Sequence, residues 1–209
     1  MPAYTLGPPQ PGQRITRAAD LSTLITAHPS LQFVSLNVAE SDLLSRGFSS
    51  RLLESLREAG VPEHLITLEI TETMLLVNDN ATVRRVLSEL RDAGMSIALD
   101  DFGTGFSSLS HLRDFPINKV KIDSSFVQGM VHDQQARAIV HAIVAMAKNM
   151  GMEVIAEGIE TEEQKMILQL TGCRSGQGFF FSPAMDLSSL TLSSLSNAGS
   201  GAKDRRRRA

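Results

Sequence analysis

Two adjacent carboxylates followed by a glycine-hinged loop, Asp100-Asp101-Phe102-Gly103-Thr104-Gly105, hold the most chemical content of this chain. The run before them, Met95-Ser96-Ile97-Ala98-Leu99, is short, apolar and bounded by Gly94, so it reads as a buried strand. Buried carboxylates are costly unless they are paired or bound to metal. A strand that delivers two of them at its carboxyl end suits hard divalent cations, which take oxygen ligands and reach substrate phosphates. Gly103 and Gly105 let the backbone turn tightly and approach a ligand. The same stretch also reads as an Asp-rich turn capping a helix at Ser107-Ser108. Other polar residues gather at the ends of further apolar runs: Asn37, Glu69 with Glu72, Lys121 with Asp123, Glu157 with Glu160, and Gln177. Taken singly, each has a structural reading. Asn37 could cap a helix, Glu69 lie at an edge, Lys121 be a solvated strand end and Glu157 a turn residue before Gly158. Taken together, acids, an amide and one lysine at five strand ends in series point to one shared site.

The elements that must position these groups alternate. Strand-like runs occur at Phe33–Val38, Ile66–Ile70, Ser96–Leu99, Lys119–Ile122, Glu153–Ala156 and, shorter, Gly178–Phe181. Helical periodicity marks a short stretch through Leu21, Leu24 and Ile25, then Leu43 to Leu56, Val83 to Leu90, Ile139 to Met150 and Gln164 to Leu170. Strands alternating with helices predict a parallel sheet with crossover helices, and the apolar strand interiors predict burial on both faces. Residues 1–13 hold four prolines and two glycines and read as a flexible leader. Residues 14–187 form the expected domain. Residues 188–209 are Ser-rich, end in Arg205–Arg208 and read as a disordered basic tail.

Composition bounds the function classes. Hydrophobic residues make up 42% and charged residues 21% of the 209, as in an ordinary globular protein. The net charge is −3, but the last seven residues carry +4, so the first 202 carry −7. An acidic body favours cations over bare polyanions. Trp is absent and Tyr4 is the single tyrosine, so stacking platforms for nucleic acid are scarce, although nine Phe remain. We expect no nucleic-acid partner, and the Arg-rich end reads as a solvated tail. Cys173 stands alone, which excludes an internal disulfide and suits a reducing cytoplasm. No apolar run approaches the length of a membrane span.

With these motifs in place, the sequence resembles the EAL-domain family of cyclic di-GMP phosphodiesterases. The matching pieces are SLNVAESDL (35–43), LEITET (68–73), LDDFGTGFSSLSHL (99–112), VKIDSSFV (120–127), VIAEGIETEEQ (154–164) and GQGFFFSPAM (176–185), in family order over about residues 31–186. The resemblance implies a modified (β/α)8 TIM-like barrel. It also implies two Mg²⁺ or Mn²⁺ ions that hydrolyse cyclic di-GMP to linear pGpG. By the same resemblance Asn37, Glu69 and Asp100 are metal ligands, with Asp100 bridging, and Asp101 and Glu157 serve the second ion. Lys121 would hold the attacking water and the phosphate, with Glu157 supporting that water and Gln177 near it. Glu72, Glu160 and Thr104 would brace the Gly103–Gly105 loop, and Phe102, Gly103, Gly105 and Asp123 would contact substrate.

One departure sets the expectation for activity. The family's signature Glu-Ala-Leu, followed by Leu-Arg, does not occur before Asn37. We therefore expect an N-terminally truncated member, an incomplete barrel of about six parallel strands with an under-liganded first metal and open sheet edges. Three readings follow. The chain is a phosphodiesterase, weakened or completed by a partner. Or it is a non-catalytic cyclic di-GMP-binding or protein-interaction module. Or it is a fragment stable beside another chain, as a homodimer or with an EAL or GGDEF protein.

Overall fold

The computed structural model describes residues 4–6, 14–29, 31–76, 80–103 and 109–182. Its strands are β1 (Tyr4–Leu6), β2 (Val34–Asn37), β3 (Ile66–Thr71), β4 (Ser96–Phe102), β5 (Lys119–Ile122), β6 (Glu153–Ala156) and β7 (Ser175–Gly176). The helices are α1 (Arg14–Ala27), α2 (Glu40–Leu43), α3 (Phe48–Glu58), α4 (Asn80–Asp92), α5 (Leu109–Asp114), α6 (Ser124–Gly129), α7 (Gln134–Asn149) and α8 (Glu162–Thr171). All seven strands lie in one sheet in chain order, and every neighbouring pair is parallel. Strands in chain order joined by crossover helices curl into a barrel-like wall, here an incomplete (β/α)8 barrel with β1 and β7 at its edges.

The register sorts the strand residues into two faces. Asn37 stands opposite Glu69, Glu69 opposite Ala98, Ala98 opposite Lys119, and Lys119 opposite Glu153. Because side chains alternate with period two, this face also carries Ser35, Thr67, Asp100 and Lys121. The other face carries Leu68, Ile70, Ile97, Leu99, Val120 and Ile122, all at most 2% exposed. These pack with Val83, Leu87 and Leu90 of α4 and Val140, Ile143 and Val144 of α7 in one core cluster. Each such side chain contributes about 1.5–3 kcal/mol of burial. As the apolar strand interiors predicted, this face is buried. The concave face is buried too, but its buried residues include Ser35, Thr67, Glu69, Lys119 and Lys121. Four- to seven-residue strands contribute only two to four side chains to each face, so a few polar positions change the character of that side, where Ala98 and Ile155 remain apolar.

Three local expectations change. Tyr4–Leu6 is not leader but an edge strand, paired Tyr4 to Val34 and Leu6 to Leu36. Its three residues lie between Pro2 and Pro8, and an edge position asks for hydrogen bonds on one side alone. The helix expected from Leu43 to Leu56 is split into α2 and α3 by Gly47, which caps α3 in the left-handed region at φ 71°. The last strand lies at Ser175–Gly176, and Gly178–Phe181 forms a turn instead. A side chain at Gly178 would lie 2.2 Å from the Ile159 carbonyl oxygen, so this backbone packs against the β6–α8 loop rather than continuing the sheet. The tail expected over 188–209 lies outside the described residues.

Candidate metal and phosphodiester site

The site grows from the carboxyl ends of β2 to β6. Lys121, on the concave face of β5 and 2% exposed, is its centre. Its Nζ lies 2.8 Å from Glu69 Oε2, 2.8 Å from Asp100 Oδ1 and 2.6 Å from Glu157 Oε1. Burial works against the ammonium charge, but Glu69, Glu157 and Asp100 outweigh it and hold Lys121 above the ordinary lysine range. One cation therefore faces three carboxylates, with a fourth, Asp101, beside them.

Asp101 reaches the cluster through an irregularity in β4. Consecutive strand residues point to opposite faces, so Asp100 and Asp101 should diverge. Between Leu99 and Phe102 the register with β5 shifts, two residues (Asp100 and Asp101) standing against one (Lys121), and Asp101 adopts φ 53°. A bulge of this kind re-aims a side chain, at a backbone cost of about 1 kcal/mol or more outside glycine. As a result one carboxylate oxygen each from Asp100, Asp101 and Glu157 lies within 4.8 Å of the others. Burial, then the neighbouring Asp100 and Asp123, push the Asp101 carboxyl up. Burial likewise raises Glu157, against the attraction of Lys121. These are the marks of an acidic cluster short of positive charge. A further sign is Glu69 Oε1, buried with no hydrogen-bond partner. Clustered carboxylate oxygens, an unpartnered buried acceptor and Asn37 in register with Glu69 match the oxygen donors that hard divalent cations require.

The surrounding loops hold this arrangement. The backbone N–H of Glu157 donates to the Ile122 carbonyl (3.2 Å), tying it beside Lys121. Gln177 Nε2 donates to Glu157 Oε1 at 2.6 Å, and the Gln177 backbone N–H donates to the Ala156 carbonyl at 2.8 Å. The structure thus brings Asn37, Glu69, Asp100, Asp101, Lys121, Glu157 and Gln177 to one rim. Glu72 accepts from the Gly103 backbone N–H at 3.1 Å, across 31 residues of sequence. Glu160 accepts from Gln128 Nε2 of α6 at 3.1 Å. Asp123 caps α6, accepting from the Ser125 N–H at 2.9 Å, and its negative charge helps to push the Asp101 carboxyl up. Phe102 departs from the expected substrate contact. It is 8% exposed and packed in the core cluster, because the bulge that turns Asp101 outward returns Phe102 to the helix side. Thr104 and Gly105 lie outside the described residues. Gln128 was not singled out from sequence, since nothing in its spacing marks a partner 32 residues away.

Comparisons with known proteins bear on the family of this chain. The family model for the EAL domain matches residues 13–184. Cyclic di-GMP phosphodiesterase PA2567 of Pseudomonas aeruginosa is 36% identical over 152 residues, covering 73% of this chain and 26% of that protein. The EAL domain of Mycobacterium smegmatis DcpA superposes with a TM-score of 0.81 at 32% identity, covering 90% of this chain and 85% of that one. Klebsiella pneumoniae BlrP1, solved as a complex with manganese and cyclic di-GMP, gives a TM-score of 0.70 at 31% identity, covering 82% of this chain and 45% of that one. The chain spans less than a third of the length of the curated relatives it matches. With the family model spanning residues 13–184 of its 209, this chain belongs to the EAL domain family.

Proposed function

We propose that this domain binds two divalent cations, Mg²⁺ or Mn²⁺, and hydrolyses one phosphodiester of cyclic di-GMP to give linear pGpG. The observation that carries the reading is the excess of carboxylates over cations around Lys121, with Asp100, Asp101 and Glu157 oxygens gathered within 4.8 Å. Asn37, Glu69 and Asp100 would hold one ion, and Asp100, Asp101 and Glu157 the other. Bound there, the ions supply Lewis acidity to the phosphodiester and acidify the attacking water.

The chain's own residues do the rest. Lys121, kept charged by its neighbours, faces the negative charge that builds on the phosphate oxygens during displacement. Glu157, beside Lys121 at 2.6 Å, lies where a carboxylate could take the proton of the attacking water. Water oxygen bonds to phosphorus as the bond from phosphorus to the ribose 3′ oxygen breaks, and that oxygen takes a proton from solvent. Gln177 keeps Glu157 oriented through its 2.6 Å hydrogen bond. Glu72 fixes the start of the loop after Asp101 through Gly103. Because Cys173 is a buried free thiol, a reducing cytoplasm suits the domain.

The second reading is a cyclic di-GMP-binding module without turnover. Incubation with cyclic di-GMP and Mn²⁺, followed by chromatography, separates the two. Formation of pGpG that stops in Asp100→Asn supports the hydrolase. Tight nucleotide binding with no pGpG supports the module, and neither binding nor product refutes both.

A further inference from the structure

Two polar triads stand one above the other along β5, β6 and β7. The upper one joins Lys121, Glu157 and Gln177. In the lower one, Lys119 Nζ lies 3.3 Å from Glu153 Oε2, and Ser175 Oγ donates to Glu153 Oε1 at 2.8 Å. Each takes a lysine from β5, a glutamate from β6 or the residue after it, and a donor from β7 or the residue after it. The lower glutamate is held firmly. Lys119 is 8% exposed, and its ammonium sits 3.9 Å from the ring centroid of Phe33, the residue before β2. Glu153 thus has one oxygen fixed by Lys119 and offers the other to Ser175.

The strand β7 needs such a fixture. It is two residues long and makes two register pairs with β6, Ile155 with Ser175 and Ala156 with Gly176. The next pair in that register sets Gln177 against Glu157, where Gln177 Nε2 reaches Glu157 Oε1 at 2.6 Å. Side chains alternate faces with a period of two, so Ser175 and Gln177 share the concave face. Backbone bonds alone do not choose the register, because every residue here offers the same N–H and C=O. Gly176 and Gly178 flank Gln177, and glycine-rich strands specify register weakly. A slip by one residue would turn Ser175 and Gln177 to the other face and leave Glu157 opposite a glycine. The bond from Ser175 to Glu153, two residues before its register partner Ile155, is a diagonal cross-strand contact that resists this slip.

We propose that Ser175 is a positioning residue: through its hydrogen bond to Glu153 it sets the register of β7 and so holds Gln177 against Glu157. Its effect on turnover rests on the reading under Proposed function, whereas its effect on register rests on the contacts alone. Ser175 acts through Gln177 and is not itself a catalytic residue.

Two measurements on the full chain test this. Amide hydrogen exchange followed by NMR reads the register without turnover. In Ser175→Ala the Gln177 N–H, bonded to the Ala156 carbonyl, and the Ile159 N–H, bonded to the Gln177 carbonyl, should exchange about 10-fold faster. The Glu157 N–H, bonded to the Ile122 carbonyl, should keep its rate. Ser175→Thr keeps the hydroxyl and should match the original chain. With Mn²⁺ and cyclic di-GMP, Ser175→Ala should lower kcat for pGpG formation about 10-fold with KM little changed. Combined with Gln177→Ala, it should lower kcat no further than Gln177→Ala alone, because the serine acts through the glutamine. Unchanged exchange at Gln177 and Ile159, or equal acceleration at Glu157, would overturn the register role and leave the phosphodiesterase reading standing. Additive losses in the double variant would overturn the action through Gln177. Absence of pGpG from the original chain would overturn the phosphodiesterase reading and the effect on turnover with it, while exchange still decides the register.

Discussion

Replacing Lys121 by methionine tests the electrostatic account of the site directly. The lysine is 2% exposed and is the cation within 3 Å of Glu69, Asp100 and Glu157. Methionine fills similar volume, so the main loss is charge. Removing one partner of a buried ion pair costs about 3–5 kcal/mol. The Glu69 side chain is fully buried, while those of Asp100 and Glu157 are 15% and 17% exposed, so water relieves part of their share and the lower half of that range applies. For a domain of this size each kcal/mol moves the melting temperature by about 2–4 °C, which gives a fall of roughly 6–15 °C in the presence of EDTA. A divalent cation supplies the missing charge from the other side of the same carboxylates. Mn²⁺ should therefore raise the melting temperature of Lys121→Met more than that of the original chain. Circular dichroism melts at matched ionic strength, with and without Mn²⁺, read both quantities. A fall below about 2 °C in EDTA would show that the lysine is not neutralising the cluster. An equal Mn²⁺ effect on both proteins would show that the carboxylates and the metal do not share a site.

Other perturbations follow from the same contacts. Glu72→Ala removes the acceptor for the Gly103 N–H, so it should cost about 1 kcal/mol in denaturant melts and lower the rate of pGpG formation more than it alters Mn²⁺ binding. An unchanged rate would mean that Glu72 does not set the loop. Gly178→Ala would drive a Cβ into the Ile159 backbone, so it should destabilise the chain by about 2 kcal/mol or more and displace Gln177 from Glu157. A full-stability alanine variant would refute the close packing of that turn. Burial raises the Cys173 thiol from 9.0 to about 11. The folded protein should therefore resist iodoacetamide at pH 8 and react once unfolded. A thiol raised on folding adds stability below pH 9.0 that is lost as pH climbs toward about 11, so alkaline melts should decline over that window and flatten in Cys173→Ala.

Much of this architecture was legible because short apolar runs were punctuated by glycine, asparagine and acids. Ile66–Thr71, Lys119–Ile122 and Glu153–Ala156 agree with the expected strands within a residue. The last one misled because Phe179-Phe180-Phe181 looks like strand, while crowding at Gly178 against Ile159 enforces a turn that composition does not reveal. Tyr4–Leu6 was hidden by flanking prolines, which an edge strand tolerates. Site residues could be named from their places at strand ends, since parallel strands in chain order deliver those ends to one rim. Their interactions could not. That Lys121 binds three acids at once depends on distances across β3, β4, β5 and β6, and the turning of Asp101 depends on a bulge with φ 53°. Nor does spacing tell that Glu160 meets Gln128, or that Phe102 returns to the core.

The central claim, that the Asp100, Asp101 and Glu157 oxygens form a divalent-cation site serving a phosphodiester, is tested most directly by crystals grown with Mn²⁺ and cyclic di-GMP. Anomalous scattering at the manganese edge locates the ion without reference to the protein. The account requires a peak between the Asp100 and Asp101 carboxylates, with a nucleotide phosphate beside it and beside Lys121 Nζ. A peak elsewhere, or nucleotide bound away from that rim, would contradict it.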